Sequence, residues 1–133
     1  MWNVVRDDAD IKRFMDNTYS LHDSCIKELN YISGAYVDES LSMHPINDCR
    51  ALRVIIQCQF SDIPAVEMEF LGLKYLKLFP TPPDYTCEIS EASLFIMNGY
   101  IYWADYSRLP IEDLDNYEGT LICASELRWR PLL

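Results

Sequence analysis

The chain has 133 residues, of which 50% are hydrophobic and 24% charged, a size and composition typical of one folded domain, and this excludes extensive disorder. Its 21 acidic residues outnumber the 11 basic ones, and the net charge of −10 repels phosphate backbones, so no nucleic-acid partner is expected. We therefore predict a single domain over residues 1–133 whose charge favours a basic protein partner.

The five cysteines indicate the redox state of the cellular compartment. Their number is odd, no two form a CxxC motif, and Cys58, Cys87 and Cys123 stand in apolar runs. This pattern is not that of a disulfide framework or a zinc finger, so we predict five free thiols in a reducing cytoplasm. The N-terminus lacks the basic and then apolar order of a secretion signal, and no apolar run reaches the roughly 18 residues that a membrane span needs.

The first predicted element is a helix in "DDADIKRFMDN", residues 7–17. Asp7 or Asp8 can cap its N-terminus, and Asn17 can end it. The spacing of Ile11, Phe14 and Met15 places one apolar stripe along the helix. Since the helix is short, we expect packing to hold it in place.

Strands are predicted for most of the remaining chain. The first spans Ser24–Ile32 and ends at Ser33-Gly34, and a weaker one runs through Leu41–Met43. In "LRVIIQCQF" and "AVEMEF", residues 52–60 and 65–70, apolar and polar residues alternate. Alternation of this kind is typical of strands with one buried face, so these two segments predict an antiparallel hairpin.

A second hairpin is predicted around Asn98-Gly99, the dipeptide favoured in type I′ turns. A two-residue loop pairs Phe95 with Tyr102 and places Leu94 and Trp103 on the reverse face. Both faces are apolar, so the hairpin is expected to be central in the sheet or covered on both sides.

The connecting segments give weaker signals. Gly72 is expected to end the strand before it, and residues 73–79 read equally as strand or helix. The prolines of "PTPPDY" indicate an irregular loop. "LPIEDLDNYEG" reads as a loop or one short helix, and the final strand is predicted over Thr120–Trp129, with Leu121, Cys123, Leu127 and Trp129 on one face.

Acid–base, nucleophilic and metal-binding residue types adjoin in "YSLHDSCIKELNY", residues 19–31. Neighbours on a strand point to opposite faces, so His22 and Asp23 cannot both reach Ser24 and Cys25 without a sharp turn. We predict that His22, Asp23 and Ser24 bond to backbone groups where a loop enters the strand. A small enzyme or ligand-binding domain with a cleft near His22 and Asp23 is the alternative.

Other chemistries find little support in the sequence. His22, Asp23 and His44 lack the spacing of a known metal motif, and four glycines form no phosphate-binding loop. No carboxylate pair stands out among the 21 acids as a glycosidase pair. We therefore predict no catalytic residue, no metal and no cofactor.

An aromatic and acidic stretch is the best candidate for a partner surface. Tyrosine and tryptophan are enriched at interface hot spots, and acids follow them closely in the sequence. The candidate partner-binding residues are Tyr100, Tyr102, Trp103, Asp105, Glu112 and Asp113. Ordinary packing of the aromatic residues across strands is the competing interpretation.

The order of "SLHDSCIKELNY", "VEMEFLGLKYL" and "ISEASLFIMNGYIYWAD" resembles that of small bacterial β-rich families, some of which are similar to immunity proteins that neutralise toxins. The resemblance covers residues 20–105 and implies an antiparallel β-rich fold, but it carries over no catalytic residue.

Together, these features predict an α+β fold: a mainly antiparallel sheet, strongly curved or a sandwich, with the short N-terminal helix on one side. The predicted function is a non-enzymatic protein-binding module of the immunity type. Its acidic, aromatic surface would occlude a basic site on a partner. The sequence leaves the oligomeric state open.

Overall fold

The computed structural model describes residues 1–133. In chain order its elements are β1 (Asn3–Val5), α1 (Asp8–Asn17), the 3-10 turn η1 (Tyr19–Leu21), β2 (Cys25–Ile32), β3 (Tyr36–Val37), β4 (Met43–His44), β5 (Ala51–Gln57), β6 (Ala65–Lys77), β7 (Ser93–Met97), β8 (Tyr100–Ala104), the 3-10 helix η2 (Ile111–Asn116) and β9 (Leu121–Leu132).

Seven strands form one antiparallel sheet in the order β2-β5-β6-β9-β8-β7. The seventh strand, β1, pairs with residues 127–129 of β9. It lies on the same side of β9 as β8, which pairs with residues 121–124, whereas β6 lies on the other side. The α+β class and the N-terminal helix are confirmed. The sheet itself is open and neither closes nor curls strongly, so it differs from the strongly curved sheet or sandwich that the sequence predicts.

Helix α1 begins and packs as its sequence indicates. Asp7 is the N-cap and accepts a hydrogen bond from the backbone N–H of Asp10 at 2.9 Å. Phe14 is fully buried, and its ring meets that of Trp129 edge to face with centroids 5.2 Å apart. The helix therefore covers one face of the sheet, which we call the inner face.

The inner face carries the main hydrophobic core. Strands β5 and β6 pair in the predicted hairpin, with Val54 opposite Met68. The alternating apolar residues of both strands are fully buried, as predicted: Leu52, Val54, Ile56, Val66, Met68 and Phe70.

Gly72 does not end its strand, contrary to the prediction. Strand β6 continues to Lys77, while Gly72 adopts a positive φ of 60° opposite Ser125 of β9. Beyond this point the side chains change face in both strands: Leu127 lies in the inner core, whereas Cys123 lies in a second core on the outer face. The prediction of one shared face for both residues is therefore wrong.

The Asn98-Gly99 hairpin has the predicted register. Phe95 lies opposite Tyr102, and both turn residues have positive φ, as a type I′ turn requires. The two apolar faces enter two different cores, so the hairpin is covered on both sides. Its first strand, β7, lies at the sheet edge and not at the centre.

Strands β3 and β4 form a separate two-stranded ribbon in the connection between β2 and β5. The sequence predicts a weak strand at residues 41–43, whereas the observed strand β4 starts at Met43 and its partner was not predicted. We call residues 33–50 the arm. Its pairing is local, because β3 and β4 hydrogen-bond to no strand of the main sheet.

The first prediction concerns Gly72. A Cβ at this position would lie 2.9 Å from Ser125 Oγ, whereas a Cβ at Gly99 would meet nothing within 4 Å. Both glycines have positive φ, so Gly99→Ala costs about 1–2 kcal/mol of unfolding free energy from backbone strain alone. We expect Gly72→Ala to cost at least about 1 kcal/mol more because of the added clash.

Urea denaturation of both variants measures this difference. The double variant Gly72→Ala, Ser125→Gly should regain the unfolding free energy that the clash costs, but not the part that backbone strain costs. Equal costs for the two single variants would show that the close approach of β6 and β9 contributes nothing.

Candidate functional site

The outer face of the sheet divides into an aromatic half and a charged half. In the aromatic half, η2 packs over β8 and β9 through Leu114, next to Tyr102 and Cys123. The ring of Tyr102 also stacks on that of Phe95, with centroids 5.1 Å apart. Long-range packing of η2 thus buries a face that could otherwise have met a partner.

Two predicted partner-binding residues lie in the interior. Trp103 is fully buried in the inner core, and Tyr102 is almost fully buried beneath η2. Burial raises the pKa of Tyr102 to about 12, with Cys123 adding to the shift. Neither side chain can contact a partner in this conformation, so their assignment to a binding surface is corrected to core packing.

Tyr100 and Asp105 have local partners. Lys74 Nζ lies 4.1 Å from the ring centroid of the half-buried Tyr100. Asp105 accepts hydrogen bonds from the hydroxyl of Tyr117 and from the backbone N–H of Thr120. Burial first, and then Asp105, raises the pKa of Tyr117. Asp105 thus anchors the end of the η2 segment to the start of β9.

Glu112 and Asp113 are exposed on η2, as a partner surface requires. They belong to a larger patch that we call the η2 surface. Its exposed carboxylates are Glu112, Asp113, Asp115 and Glu118, and its exposed apolar side chains are Leu78, Phe79, Tyr106 and Ile111. Two shallow depressions of about 520 and 310 Å³ lie among residues of this patch.

Lys77 is the basic side chain that borders the larger depression, and its ammonium group is already engaged. Its Nζ donates to the carbonyl oxygens of Leu114 and Asp115, both at 2.9 Å. A cation at the last carbonyls of a helical segment is favourable. The arrangement holds η2 against β6 and leaves the neighbouring carboxylates without a side-chain partner.

Sequence reasoning missed the apolar members of the η2 surface. Leu78 and Phe79 precede the proline-rich loop and are distant in sequence from η2, whereas Tyr106 and Ile111 lie close to η2 or within it. The available signal was the run of prolines after Phe79, which cannot continue a sheet ladder and leaves Leu78 and Phe79 exposed beyond the end of β6.

The residues of the opening stretch bond locally. His22 Nδ1 lies 2.7 Å from the carbonyl oxygen of Ser90, and its Nε2 lies 3.0 Å from the Asp23 carboxylate. Ser24 donates to the carbonyl of Leu21 at 2.5 Å and pairs through its backbone with Ile89. His22 and Ser24 therefore use backbone partners, while Asp23 bonds to His22 and not to a backbone amide.

A cleft of about 350 Å³ nevertheless lies beside Asp23. Three thiols line it: Cys25, Cys58 and Cys87. Burial, and then the nearby Cys25, raises the pKa of Cys58, which makes this thiol a weak nucleophile. Cys87 is exposed in its loop, in contrast to the apolar setting that its sequence indicates. All five cysteines are free thiols.

The charged half of the outer face is built around Glu67. This side chain is almost fully buried, although its alternation predicts an outward, solvated position. Arg53 and Arg130 both donate to its carboxylate. Burial raises the pKa of Glu67, but the two arginines lower it more, so its pKa is below the ordinary value of 4.5.

Trp2 covers this ion cluster. Its ring lies 4.2 Å from the guanidinium carbon of Arg130 and 4.4 Å from that of Arg128. Arg128 in turn donates to Glu69 at 2.8 Å. Every charge in the cluster has a partner of opposite sign, which identifies it as part of the architecture.

The largest cleft, of about 540 Å³, lies where β1 and β8 leave a gap along β9. It is mainly apolar, with Arg6, Glu126 and Arg128 among the residues that line it. No group of three or more histidine, cysteine or acidic side chains is placed to hold a metal ion. None of the helices has the length and apolar character needed to cross a bilayer.

Comparison with family models, with curated proteins and with solved structures returns no match for this chain. The resemblance to immunity-type families therefore stays a prediction from the short motifs that carry it.

The second prediction concerns Glu67. Glu67→Gln leaves two arginines without their charged acceptor, so we expect a loss of about 3 kcal/mol at pH 7. Because the folded pKa of Glu67 is lowered, its stabilising contribution is present above pH 4.5 and disappears as the pH falls through the folded pKa.

Unfolding free energies measured from pH 3 to pH 7 should therefore converge for the wild type and Glu67→Gln at the acid end. Glu69→Gln is the control, because Glu69 has one arginine partner and is more exposed. A constant difference at every pH would contradict the assigned cause.

The third prediction concerns Tyr102. As a core residue, Tyr102→Ala should lower the unfolding free energy by about 3–5 kcal/mol. Tyr85→Ala is the control, because Tyr85 is exposed and should change stability by less than about 0.5 kcal/mol. Chemical denaturation compares the two, and a loss below about 1 kcal/mol for Tyr102→Ala would return this residue to the surface candidates.

Proposed function

We propose that the chain is a non-enzymatic protein-binding module that occludes a basic site on a partner protein through the η2 surface. The supporting observation is the grouping of four unpaired carboxylates with four exposed apolar side chains around one short helix. Apolar area of this kind gives affinity, while the carboxylates steer a basic partner and set its orientation.

The support beneath the surface is rigid. Leu114 inserts into the outer core, Lys77 bonds to the carbonyls of η2, and Asp105 ties the following segment to β9. Little conformational entropy is lost when a partner binds such a preorganised surface.

The motif resemblance and the net charge agree with an immunity-type role, in which an acidic protein covers the basic site of a toxin. The proposed compartment is a reducing cytoplasm, on the basis of the five free thiols. The same charge opposes binding to nucleic acid.

The fourth prediction tests the η2 surface. We expect the combined variant Glu112→Gln, Asp113→Asn and Asp115→Asn to weaken partner binding about tenfold or more, mainly by slowing association. The wild-type affinity should itself fall as salt is added, because exposed charges are screened. The purified products of the flanking genes serve as partners, and lysozyme serves as an unrelated basic protein.

A variant with Asp84→Asn, Glu91→Gln and Glu126→Gln is the matched control, since it removes the same charge from exposed positions elsewhere. Its affinity should stay within about twofold of the wild type. Equal losses in both triple variants would indicate a net-charge effect and contradict a defined site. Binding to lysozyme alone, with no flanking product bound, would also contradict it.

A small enzyme or ligand-binding domain is the second candidate, supported by the cleft that Asp23 and the three thiols line. A thermal-shift screen of small metabolites tests it. Hits that stabilise the wild type but not Asp23→Asn or Cys87→Ser would favour this function, and a screen without such hits would remove it.

A further inference from the structure

The arm and the strand that leads into it expose an unusual amount of apolar surface. Ile46 is 93% exposed and Leu41 is 86% exposed. Five neighbouring side chains are each more than half exposed: Tyr31, Ile32, Tyr36, Val37 and Met43. Monomeric proteins rarely expose apolar patches of this size, and such patches usually mark interaction sites.

Polar bonds, and not burial, hold the base of the arm. Arg50 Nη1 donates to the carbonyl oxygens of Ser33 and Asn47, both at 3.2 Å. Asn47 Oδ1 accepts from the backbone N–H of Cys49 at 2.7 Å. A Cβ at Gly34 would collide with Asn47 Oδ1, so the two segments of the base approach closely.

The outer part of the arm is braced in the same way. Asp38 accepts from the backbone N–H groups of Ser40 and Ser42 and lies 2.8 Å from His44 Nε2. The rings of Tyr36 and His44 stack with centroids 4.6 Å apart. The arm thus has its own hydrogen-bonded frame, which presents the apolar side chains in a fixed arrangement.

We propose that the arm is a dimerisation surface and that its partner is a second copy of this chain. At roughly 200 Å² for a fully exposed side chain of this type, the seven exposures amount to on the order of 900 Å². Stable interfaces bury about 800 Å² on each partner, so the arm together with Tyr31 and Ile32 supplies the required area.

The geometry of the ribbon suggests how two copies meet. Val37 pairs with Met43 and Tyr36 with His44, and successive pairs point to opposite faces. Each arm therefore has two faces to cover. About a twofold axis, one face packs on the partner's arm and the other on the partner's Tyr31 and Ile32, at the end of the edge strand β2.

Charge favours a second copy over a partner of opposite charge. Residues 31–50 contain three carboxylates, Asp38, Glu39 and Asp48, and His44 already engages the first. A chain with net charge −10 repels its own copies, and this repulsion is weakest where the surface carries few charges. Recognition at the arm then depends on apolar area, which an identical arm provides in equal amount.

The fifth prediction follows from this assignment. Sedimentation equilibrium of the full chain should show a monomer–dimer equilibrium with a dissociation constant in the micromolar range or tighter, as for other interfaces of this size. Ile46→Glu should weaken the dimer at least about tenfold, because it places two like charges in an apolar contact. Val37→Glu is a second variant with the same expected effect, which guards against a local distortion in either one.

Ile111→Glu is the matched control, since Ile111 is also an apolar residue with more than half of its surface exposed, but it lies on η2. It should leave the dimer unchanged. Circular dichroism and melting temperature check that all three variants keep the wild-type fold. A wild-type chain that stays monomeric up to about 100 μM would overturn the proposal, even if it bound lipid vesicles or another protein through the arm.

The same variants separate this inference from the proposed function. Ile111→Glu is expected to weaken binding of the basic partner and not dimerisation, whereas Ile46→Glu is expected to do the reverse. Failure in one assay alone overturns the corresponding proposal and leaves the other standing. Loss of dimerisation in all three variants to the same extent would contradict the assignment of the arm.

Discussion

The change of face at Gly72 and Ser125 is the constraint on which both cores depend. Strands β6 and β9 form the longest pair in the sheet, and a regular alternation along them would put Leu127 and Cys123 on the same side. The positive φ of Gly72 and the close approach of Ser125 interrupt the alternation. One continuous sheet can therefore bury an inner face under α1 and part of its outer face under η2.

This division explains why the outer face has two characters. On one side of the change, β8 and β9 present Tyr102 and Cys123 to η2, and the surface is aromatic and covered. On the other side, Glu67 lies among arginines beneath Trp2, without a helix above it. A buried carboxylate needs charged partners, and β5 and β9, the neighbours of β6 on either side, supply Arg53 and Arg130.

Local signals in the sequence predicted much of the fold. The helix cap at Asp7, the Asn98-Gly99 turn and the alternation in β5 and β6 depend on nearby residues, and all three are confirmed. The predictions are wrong where segments distant in sequence determine which side chains are buried. Alternation showed that Tyr102 and Trp103 lie on opposite faces, but it could not show that η2 and α1 cover those faces.

The candidate site was predictable only in part, for the same reason. Glu112 and Asp113 were proposed because these acids closely follow the aromatic stretch in the sequence, whereas Leu78 and Phe79 join them only through the fold. The sequence predicts only one weak strand in the arm, because β3 and β4 contain two residues each. Strands this short show no alternation of apolar and polar residues.

The positions of the two exposed surfaces give them independent roles. The η2 surface rests on β6, β8 and β9, while the arm leaves the sheet between β2 and β5, and its strands β3 and β4 pair only with each other. One surface combines carboxylates with apolar groups, and the other is mainly apolar, with Asp38 and His44 bonded to each other. In the proposed function, a basic partner is recognised by the first surface and not by the second. Since the two surfaces share no residue, the proposed dimer would not use the η2 residues, and each dimer would then carry two of the proposed sites for a basic partner.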